Sequence, residues 1–288
     1  MKLLILGGSG FFGENFLKRI FNKKDDIYVL SRTYIKKRNI KFIRCDLNNI
    51  KLFNKIIQKL KPNTCLDLSW SGIPDYSIKN NNYNFIIKKK IYSCLVKNSC
   101  KKIISIGSCW EYGDFSGKAS EKLKCKNLIH FASVKIKILN FLKFLKKNYN
   151  IDYVWARVFY VYGPGNKKNS LISSIVRNLK KNKMLILNRP EVANDFIYIS
   201  DVTKALYKLT FVKLKSGIYN IGSGKLFFNQ EIYNRILLIF KKKRYQNTIK
   251  SNRRGLYADI SKINAEIKWK PMVSINKGIK KTIFTSIC

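Results

Sequence analysis

A short apolar strand that runs into a glycine loop and then a helix opens the chain. Residues 3–6 are an unbroken apolar run with the length of a strand buried on both faces. Gly7, Gly10 and Gly13 follow, each three residues after the last. A strand that turns sharply into a helix leaves the first helical N–H groups unpaired, so an anionic phosphate is their natural ligand. We therefore predict a dinucleotide-binding turn: Gly7 permits the tight turn, Gly10 lets a pyrophosphate approach the backbone, and Gly13 lets the helix pack closely on the strand.

Strand-like runs alternate with helical segments along the first half of the chain. The predicted strands are residues 3–6, 27–31, 41–44, 64–69, 102–106 and 151–159. Among the helices we predict one from near Asn48 to Leu60, with a buried stripe of Leu52, Ile56, Ile57 and Leu60, and another over residues 83–97. This alternation predicts a parallel, doubly wound α/β sheet, in which ligands bind at the carboxyl ends of the strands.

The composition is that of a globular protein. The 288 residues are 46% hydrophobic, and no apolar run approaches the roughly 18 residues that span a bilayer. Seven cysteines without Cys-x-x-Cys spacing indicate reduced thiols. The single histidine, His130, argues against a His-based zinc site, and no metal is predicted. We expect a soluble cytoplasmic protein without a membrane partner.

The net charge of +42, from 58 basic and 16 acidic residues, raises the question of nucleic-acid binding. The lysines are dispersed, however, and the longest runs are only Lys88–Lys90 and Lys241–Lys243. We therefore expect no specific nucleic-acid partner, only weak non-specific binding at low salt. The positive field should attract anionic substrates.

Further motifs follow the glycine loop in a fixed order. They are Gly107-Ser108-Cys-Trp-Glu-Tyr112-Gly113, Arg157-Val-Phe159 with Tyr162-Gly163-Pro164-Gly165, Asn194-Asp-Phe-Ile-Tyr198-Ile-Ser-Asp201-Val202, and the closing segment 259–271. Together they resemble the extended short-chain dehydrogenase/reductase, or NAD-dependent epimerase/dehydratase, family, whose members mostly act on nucleotide sugars. The resemblance covers residues 1 to about 284. It implies an NAD(P)-binding Rossmann domain at 1–164 and a smaller substrate-binding part at 165–288, from which some strands return to the sheet.

The same resemblance implies a cofactor site. Its residues are Gly7, Gly10, Phe11, Phe12, Gly13, Arg32, Asp46, Leu68, Ser69 and Lys135. NAD enzymes of this type place an acidic residue after the second strand, whereas this chain has Ser31 and Arg32, which suit a 2′-phosphate. NADP is therefore favoured over NAD, although Arg32 could also be one more surface cation. Asp46 could meet the adenine or cap the following helix. Asp67 stands where the family commonly has histidine.

The catalytic positions match the family only in part. Ser108 occupies the position of the family's catalytic hydroxyl, and Lys135 that of the lysine that holds the nicotinamide ribose. The family's pair is Tyr-x-x-x-Lys, and this chain has Phe131 in place of the tyrosine. A phenyl ring keeps the shape but has no proton to transfer, and general acid–base catalysis typically contributes ~10²–10⁴-fold. Ordinary ketone/alcohol redox chemistry should therefore be impaired unless another group substitutes.

Three side chains are conceivable substitutes. His130 adjoins Phe131, but neighbouring helical residues point about 100° apart, so we interpret it as a surface residue at the helix start. Tyr160 or Tyr162 could face the pocket from another segment.

Substrate contacts are also implied. Tyr160 replaces an asparagine that commonly contacts substrate in the family. Arg253 and Arg254 fall where an arginine often grips the nucleotide diphosphate, although both could be surface residues. Asp201 is predicted to cap the helix that runs through Leu209.

Two functional hypotheses follow. The first is an NAD(P)-dependent nucleotide-sugar ketoreductase or epimerase acting at the sugar C4 position. The alternative is a non-catalytic dinucleotide-binding protein that has lost the proton-transfer tyrosine. The resemblance also implies a possible homodimer.

Overall fold

The structure is a computed structural model that describes residues 1–20, 26–34, 39–124, 126–244 and 254–285. Its strands are β1 (Lys2–Leu6), β2 (Asp26–Ser31), β3 (Lys41–Arg44), β4 (Thr64–Asp67), β5 (Lys102–Ser108), β6 (Gly117–Ala119), β7 (Asp152–Val158), β8 (Tyr160–Tyr162), β9 (Ala193–Asn194), β10 (Phe196–Tyr198), β11 (Gly217–Ile221), β12 (Phe227–Phe228) and β13 (Leu256–Ala258). Its helices are α1 (Phe11–Arg19), α2 (Ile50–Leu60), α3 (Ile78–Lys97), α4 (His130–Tyr149), α5 (Leu171–Lys180), α6 (Ile199–Phe211), α7 (Asn229–Ile239), α8 (Ser261–Ile267) and α9 (Ile275–Thr285). A 3₁₀ turn spans Cys109–Tyr112.

Seven strands form the main sheet, in the order β11-β7-β5-β4-β1-β2-β3. The opening strand β1 lies in its interior, paired in parallel with β2 on one side and β4 on the other. In this register Leu6 lies beside Leu30 and Asp67. The predicted doubly wound α/β sheet is therefore confirmed, and the carboxyl ends of β1, β2 and β4 meet at one edge.

The chain divides into two compact units. Unit 1 comprises residues 1–114, 124–157 and 203–219, and unit 2 comprises residues 115–123, 158–202 and 220–288. Unit 2 contains the two-stranded pairings β8–β10 and β6–β13, which are parallel, and β9–β12, which is antiparallel.

The core of unit 1 explains why β1 is apolar at every position after Lys2. Leu4 and Leu6 belong to a buried cluster that also contains side chains from α2, α3 and α4. Leu3 and Ile5 point to the opposite face of the sheet and are equally buried. Both faces of the strand are therefore covered, as expected for a central parallel strand.

The helix predicted from near Asn48 begins at Ile50, and its buried stripe differs from the predicted one. Phe53, Ile57 and Leu60 are its buried residues, whereas Leu52 is 39% exposed. The helix is capped by Asn49, whose side chain accepts a hydrogen bond from the Leu52 N–H at 3.0 Å. Ile57 and Leu60 are buried as predicted, whereas Phe53 takes the place of Leu52 and Ile56 is only half-buried.

The predicted capping role of Asp201 is wrong. Helix α6 begins at Ile199, so Asp201 lies inside its first turn. Its carboxylate accepts hydrogen bonds from the backbone N–H groups of Met272 and Val273 at 3.0 and 2.8 Å. Asp201 therefore fixes the segment before α9 within unit 2.

Candidate active site

The glycine loop after β1 has the geometry that the spacing predicts. Gly7 has φ +77°, and a Cβ there would lie 2.8 Å from the backbone of Ser69. A Cβ on Gly13 would collide with the carbonyl oxygen of Gly7. Gly7 and Gly13 are thus required by close packing of the loop, the helix and the end of β4.

Gly10 differs from the other two glycines because space is open beside it. A Cβ there would meet only the Gly7 carbonyl oxygen, at 3.5 Å, which is ordinary contact. Gly10 is the N-cap of α1, and no side chain caps this end of the helix in the described part of the chain. The first turn of α1 therefore offers N–H groups at an open surface, as an anion site requires.

A groove of about 200 Å³ in unit 1 lies at the carboxyl ends of β1, β2 and β4. It brings together six of the predicted cofactor residues: Gly7, Gly10, Arg32, Asp46, Leu68 and Ser69. Phe11, Phe12, Gly13 and Lys135 are not among the described residues that line it. Phe11 and Phe12 instead form a ring pair with centroids 5.6 Å apart at the start of α1.

The end of the groove near β2 is polar and includes one cation. Ser31 is buried and donates a hydrogen bond to the Ser9 hydroxyl at 2.9 Å. Arg32 is exposed beside it. Asp46 accepts a hydrogen bond from the Asn48 N–H at 3.0 Å. Because Asn49 caps α2, the alternative that Asp46 caps this helix is wrong.

A buried ion pair that the sequence analysis missed lies beside the groove. Lys88 on α3 contacts the carboxylate of Asp67 at the end of β4 and also donates to the Ser69 carbonyl and hydroxyl oxygens, both at 2.7 Å. The Tyr92 hydroxyl donates to the same carboxylate at 2.7 Å. Burial opposes ionisation of Asp67, but the Lys88 charge and these hydrogen bonds outweigh it and lower its pKa.

The ion pair had a signal in the sequence. Asp67 stands in a run predicted to be a buried strand, and a buried carboxylate requires a partner. Lys88 belongs to the run Lys88–Lys90, in a chain whose lysines are dispersed. Only the fold shows that this one lysine of the three is buried.

Ser108 ends β5, two residues beyond the predicted strand. Its hydroxyl accepts a hydrogen bond from the Trp110 N–H at 3.2 Å, and its own N–H donates to the Glu111 carboxylate at 2.7 Å. Glu111 is fully buried and accepts from the Trp155 indole and the Arg157 guanidinium, at 2.9 and 2.7 Å. The backbone at Ser108 is therefore fixed by a buried charge pair, which gives Arg157 a structural role.

Lys135 lies on α4, one turn after Phe131 on the same face. Its ammonium donates to the Ile106 carbonyl at 2.9 Å and lies 3.7 Å from the centroid of the Trp70 ring. Burial lowers the pKa of Lys135 to about 7, and the charge of Lys88 acts in the same direction. Trp70 lines the groove, so Lys135 adjoins one of its walls.

Phe131 packs within an aromatic cluster, which consists of Trp70, Tyr76, Trp110 and Phe131. The Phe131 ring meets the other three edge-on, with centroids 5.3, 5.1 and 5.6 Å away in that order. Tyr76 also contacts Trp110 at 5.3 Å. Tyr76 was not recognised as a site residue from the sequence.

The three substitutes considered for the missing tyrosine have the following contacts in the described part of the chain. His130 is the first residue of α4, and its Nε2 lies 3.2 Å from the Asn82 side-chain oxygen. Tyr162 is buried in unit 2 with its hydroxyl 3.5 Å from the Ile275 carbonyl, and burial raises its pKa. The Tyr160 ring lies 6.0 Å from that of Phe196 in the same unit.

Arg254 is exposed, and Arg253 lies outside the described residues.

Two observations support binding of a dinucleotide in the groove. The first is the uncapped helix end at Gly10. The second is the indole N–H of Trp70, which is buried and has no hydrogen-bond partner in the part of the chain that the structure describes. Such a donor requires a partner, and a ligand in the groove can supply it.

The described residues offer neither a metal site nor a membrane span. No group of three or more His, Cys, Asp or Glu side chains is placed to hold a metal ion. None of the helices seen there is long and apolar enough to cross a bilayer.

The sheet, the glycine loop and the groove define a Rossmann-type α/β protein. The model of the NAD dependent epimerase/dehydratase family matches residues 3–222. The chain belongs to this family, which confirms the resemblance.

Individual relatives are distant but span nearly the whole chain. The dTDP-4-dehydro-6-deoxyglucose reductase of Escherichia coli is 26% identical over 99% of this chain and 98% of its own length. UDP-glucose 4-epimerase from Thermotoga maritima, solved with UDP-glucose, has a TM-score of 0.86 at 19% identity and covers 100% of this chain and 99% of the other. UDP-glucose 4-epimerase from Thermus thermophilus, solved with NAD, has a TM-score of 0.83 at 18% identity, over 99% and 98%.

Proposed function

We propose that this protein is an NAD(P)-dependent nucleotide-sugar ketoreductase or epimerase that acts at the sugar C4 position. The observation that carries the proposal is that Ser108 ends β5 and Lys135 on α4 bonds to Ile106 of the same strand, with Lys135 against Trp70 in the wall of the groove. The nucleotide-sugar reductase and epimerases among the relatives support the same chemistry.

Each residue has a defined role in this proposal. The backbone at Gly7 and Gly10 binds the pyrophosphate, and the Lys135 ammonium holds the nicotinamide ribose. Ser108 orients the sugar oxygen that gains or loses a proton. The bound cofactor supplies the hydride chemistry. Arg254 is proposed to contact the substrate as part of a substrate-binding role for residues 165–288. Tyr160, which precedes that part, is proposed to contact the substrate as well.

NADP is the proposed cofactor, although NAD is bound in a solved structure of one relative. Arg32 is an exposed cation in the groove wall, and the adjacent Ser31 is small and uncharged. A guanidinium at this position can pair with a 2′-phosphate, which NAD lacks. Calorimetric titration should show that Arg32→Ala weakens NADPH binding and leaves NADH binding nearly unchanged. Equal losses for both cofactors would contradict the preference for NADP.

The test of the function is turnover of 4-keto nucleotide sugars, followed through the absorbance of NADPH. The wild type should oxidise NADPH in the presence of at least one such sugar. Lys135→Met and Ser108→Ala should lower the rate, whereas Lys137→Met, on the exposed side of α4, should not. Wild-type rates in both Lys135→Met and Ser108→Ala would contradict the catalytic roles proposed for these two residues.

A second candidate function is supported by Phe131 itself. A protein that has lost the proton-transfer tyrosine can retain the groove and bind the cofactor without chemistry. NADPH would then raise the melting temperature of the protein, yet no 4-keto nucleotide sugar would oxidise it and no nucleotide sugar would be epimerised at C4. This pair of results would favour the non-catalytic alternative over the enzyme.

A further inference from the structure

The loop between β4 and α3 places the phenol of Tyr76 beside Phe131, whose ring has no hydroxyl. Tyr76 ends this loop, and its ring lies 5.1 Å from that of Phe131, centroid to centroid. It is also 41% exposed, so it is open to water and to a ligand. Phe131 is buried and stands one turn before Lys135, at the position where the family has its tyrosine.

Three asparagines on α3 hold this loop in place. The Asn80 amide donates to the carbonyl oxygens of Ser71 and Asp75 at 3.1 and 2.8 Å. The Asn81 amide donates to the Tyr76 carbonyl at 2.8 Å. The Asn84 amide donates to the Ser71 carbonyl at 3.1 Å, and its oxygen accepts from the Ser71 N–H at 2.9 Å.

Asn81 and Asn84 are buried, with 0% and 4% of their surface exposed. Buried amides with specific partners fix a unique backbone path. The position of Tyr76 against Phe131 is therefore set by the fold and not by surface packing alone, as a functional side chain requires.

We propose that Tyr76 supplies the proton-transfer hydroxyl that Phe131 lacks. This inference rests on the proposed function. In the reductive direction the carbonyl carbon receives a hydride from a reduced nicotinamide dinucleotide. The Tyr76 O–H bond breaks as the carbonyl oxygen takes its proton, so that an alcohol forms. The phenolate is then protonated by water, which its partial exposure allows.

The surroundings favour Tyr76 as an acid more than as a base. Partial burial raises the pKa of Tyr76, so the phenol is protonated at neutral pH. The Lys135 ammonium lies 5.6 Å from the centroid of Phe131 and can stabilise the phenolate as it forms. The phenol is therefore in the protonated form that reduction of a ketone requires.

The first test moves the phenol. Tyr76→Phe keeps the ring contacts and should lower kcat by ~10²–10⁴-fold with little change in KM. The double variant Tyr76→Phe/Phe131→Tyr should regain activity, since it returns a phenol to the same cluster. Tyr149→Phe, at the exposed end of α4, is the matched control and should match the wild type. Wild-type kcat in Tyr76→Phe would overturn the inference while the proposed function stands.

The second test needs no turnover. Tetranitromethane nitrates exposed tyrosines, and peptide mass spectrometry locates the product. NADPH together with UDP should protect Tyr76 from nitration and leave Tyr149 reactive. Unchanged nitration of Tyr76 would place it away from the ligands and overturn the inference. Absence of turnover in both the wild type and Phe131→Tyr would overturn the inference together with the proposed function.

Discussion

At the residue scale, the buried ion pair Asp67–Lys88 affects the ionisation of several groups in the candidate site. Both side chains are almost fully buried, and the pair joins the end of β4 to α3. The Lys88 charge also lowers the pKa of Lys135. One lysine thus stabilises a carboxylate and affects the ionisation of a second lysine that we place in the active site.

Removal of one partner of this pair should be costly. Lys88→Met leaves Asp67 buried without a countercharge, and we expect the free energy of unfolding to fall by about 3–5 kcal/mol. Chemical denaturation measures this change. Adding Asp67→Asn should recover part of the loss, and Lys41→Met, which breaks the exposed pair with Asp26, should have a small effect. Equal losses for the two lysine variants would show that Asp67–Lys88 is not the stabilising contact.

Lys135 gives stability a pH dependence of known sign. Burial lowers its pKa in the folded protein to about 7, below the ordinary value of 10.5. Between these two pH values the unfolded chain binds more protons at this residue, so its contribution to stability rises with pH. Lys135→Met should therefore stabilise the protein at pH 7 and lose this advantage as the pH approaches 10. Urea denaturation of both proteins at several pH values measures this change. A difference in the free energy of unfolding that does not vary with pH would contradict the prediction.

At the scale of secondary-structure elements, α3 organises the candidate site. Its first turns hold the loop of residues 71–76 through Asn80, Asn81 and Asn84, and Lys88 and Tyr92 further along bind Asp67. Its start at Ile78, capped by Ser77, lies five residues before the start predicted from the sequence. The apolar periodicity begins only at Tyr83, because the earlier turns are occupied by residues that serve the loop.

The effect of these hydrogen bonds from α3 on the order of the loop can be measured by hydrogen exchange. Asn84→Ala removes the hydrogen bonds to both backbone groups of Ser71, so amides in residues 71–77 should exchange faster. Asn148→Ala is the matched control, because within the described residues that exposed asparagine bonds to the carbonyl of its own helix at Phe144. Unchanged protection of the loop in Asn84→Ala would show that other contacts hold Tyr76.

At the scale of the whole molecule, the sequence predicts the sheet well and the active site only in part. Apolar runs locate the strands because a buried parallel strand needs several consecutive apolar residues, as in β1. The glycine spacing locates the loop because backbone contacts leave no room for a side chain at Gly7 or Gly13.

Contacts between distant residues could not be predicted in this way. Lys88 lies 21 residues from Asp67, and Tyr76 lies 55 residues before Phe131. Periodicity describes one element at a time and cannot identify which of several lysines or tyrosines is brought to a given strand end. The capping roles of Asp46 and Asp201 could not be predicted correctly for a related reason. A sequence pattern locates a helix start only to within a few residues, and the capping residue depends on that start.

The central claim is that the open helix end at Gly10 binds the diphosphate of a dinucleotide. Its most direct test is calorimetric titration of the wild type and of Gly10→Val with NADPH. A Cβ at Gly10 meets the Gly7 carbonyl oxygen only at an ordinary contact distance, so the variant should fold, with a modest fall in melting temperature because valine is a poor N-cap residue. We expect saturable binding by the wild type and none by Gly10→Val. Equal affinity in the two proteins, or no binding by the wild type, would contradict it.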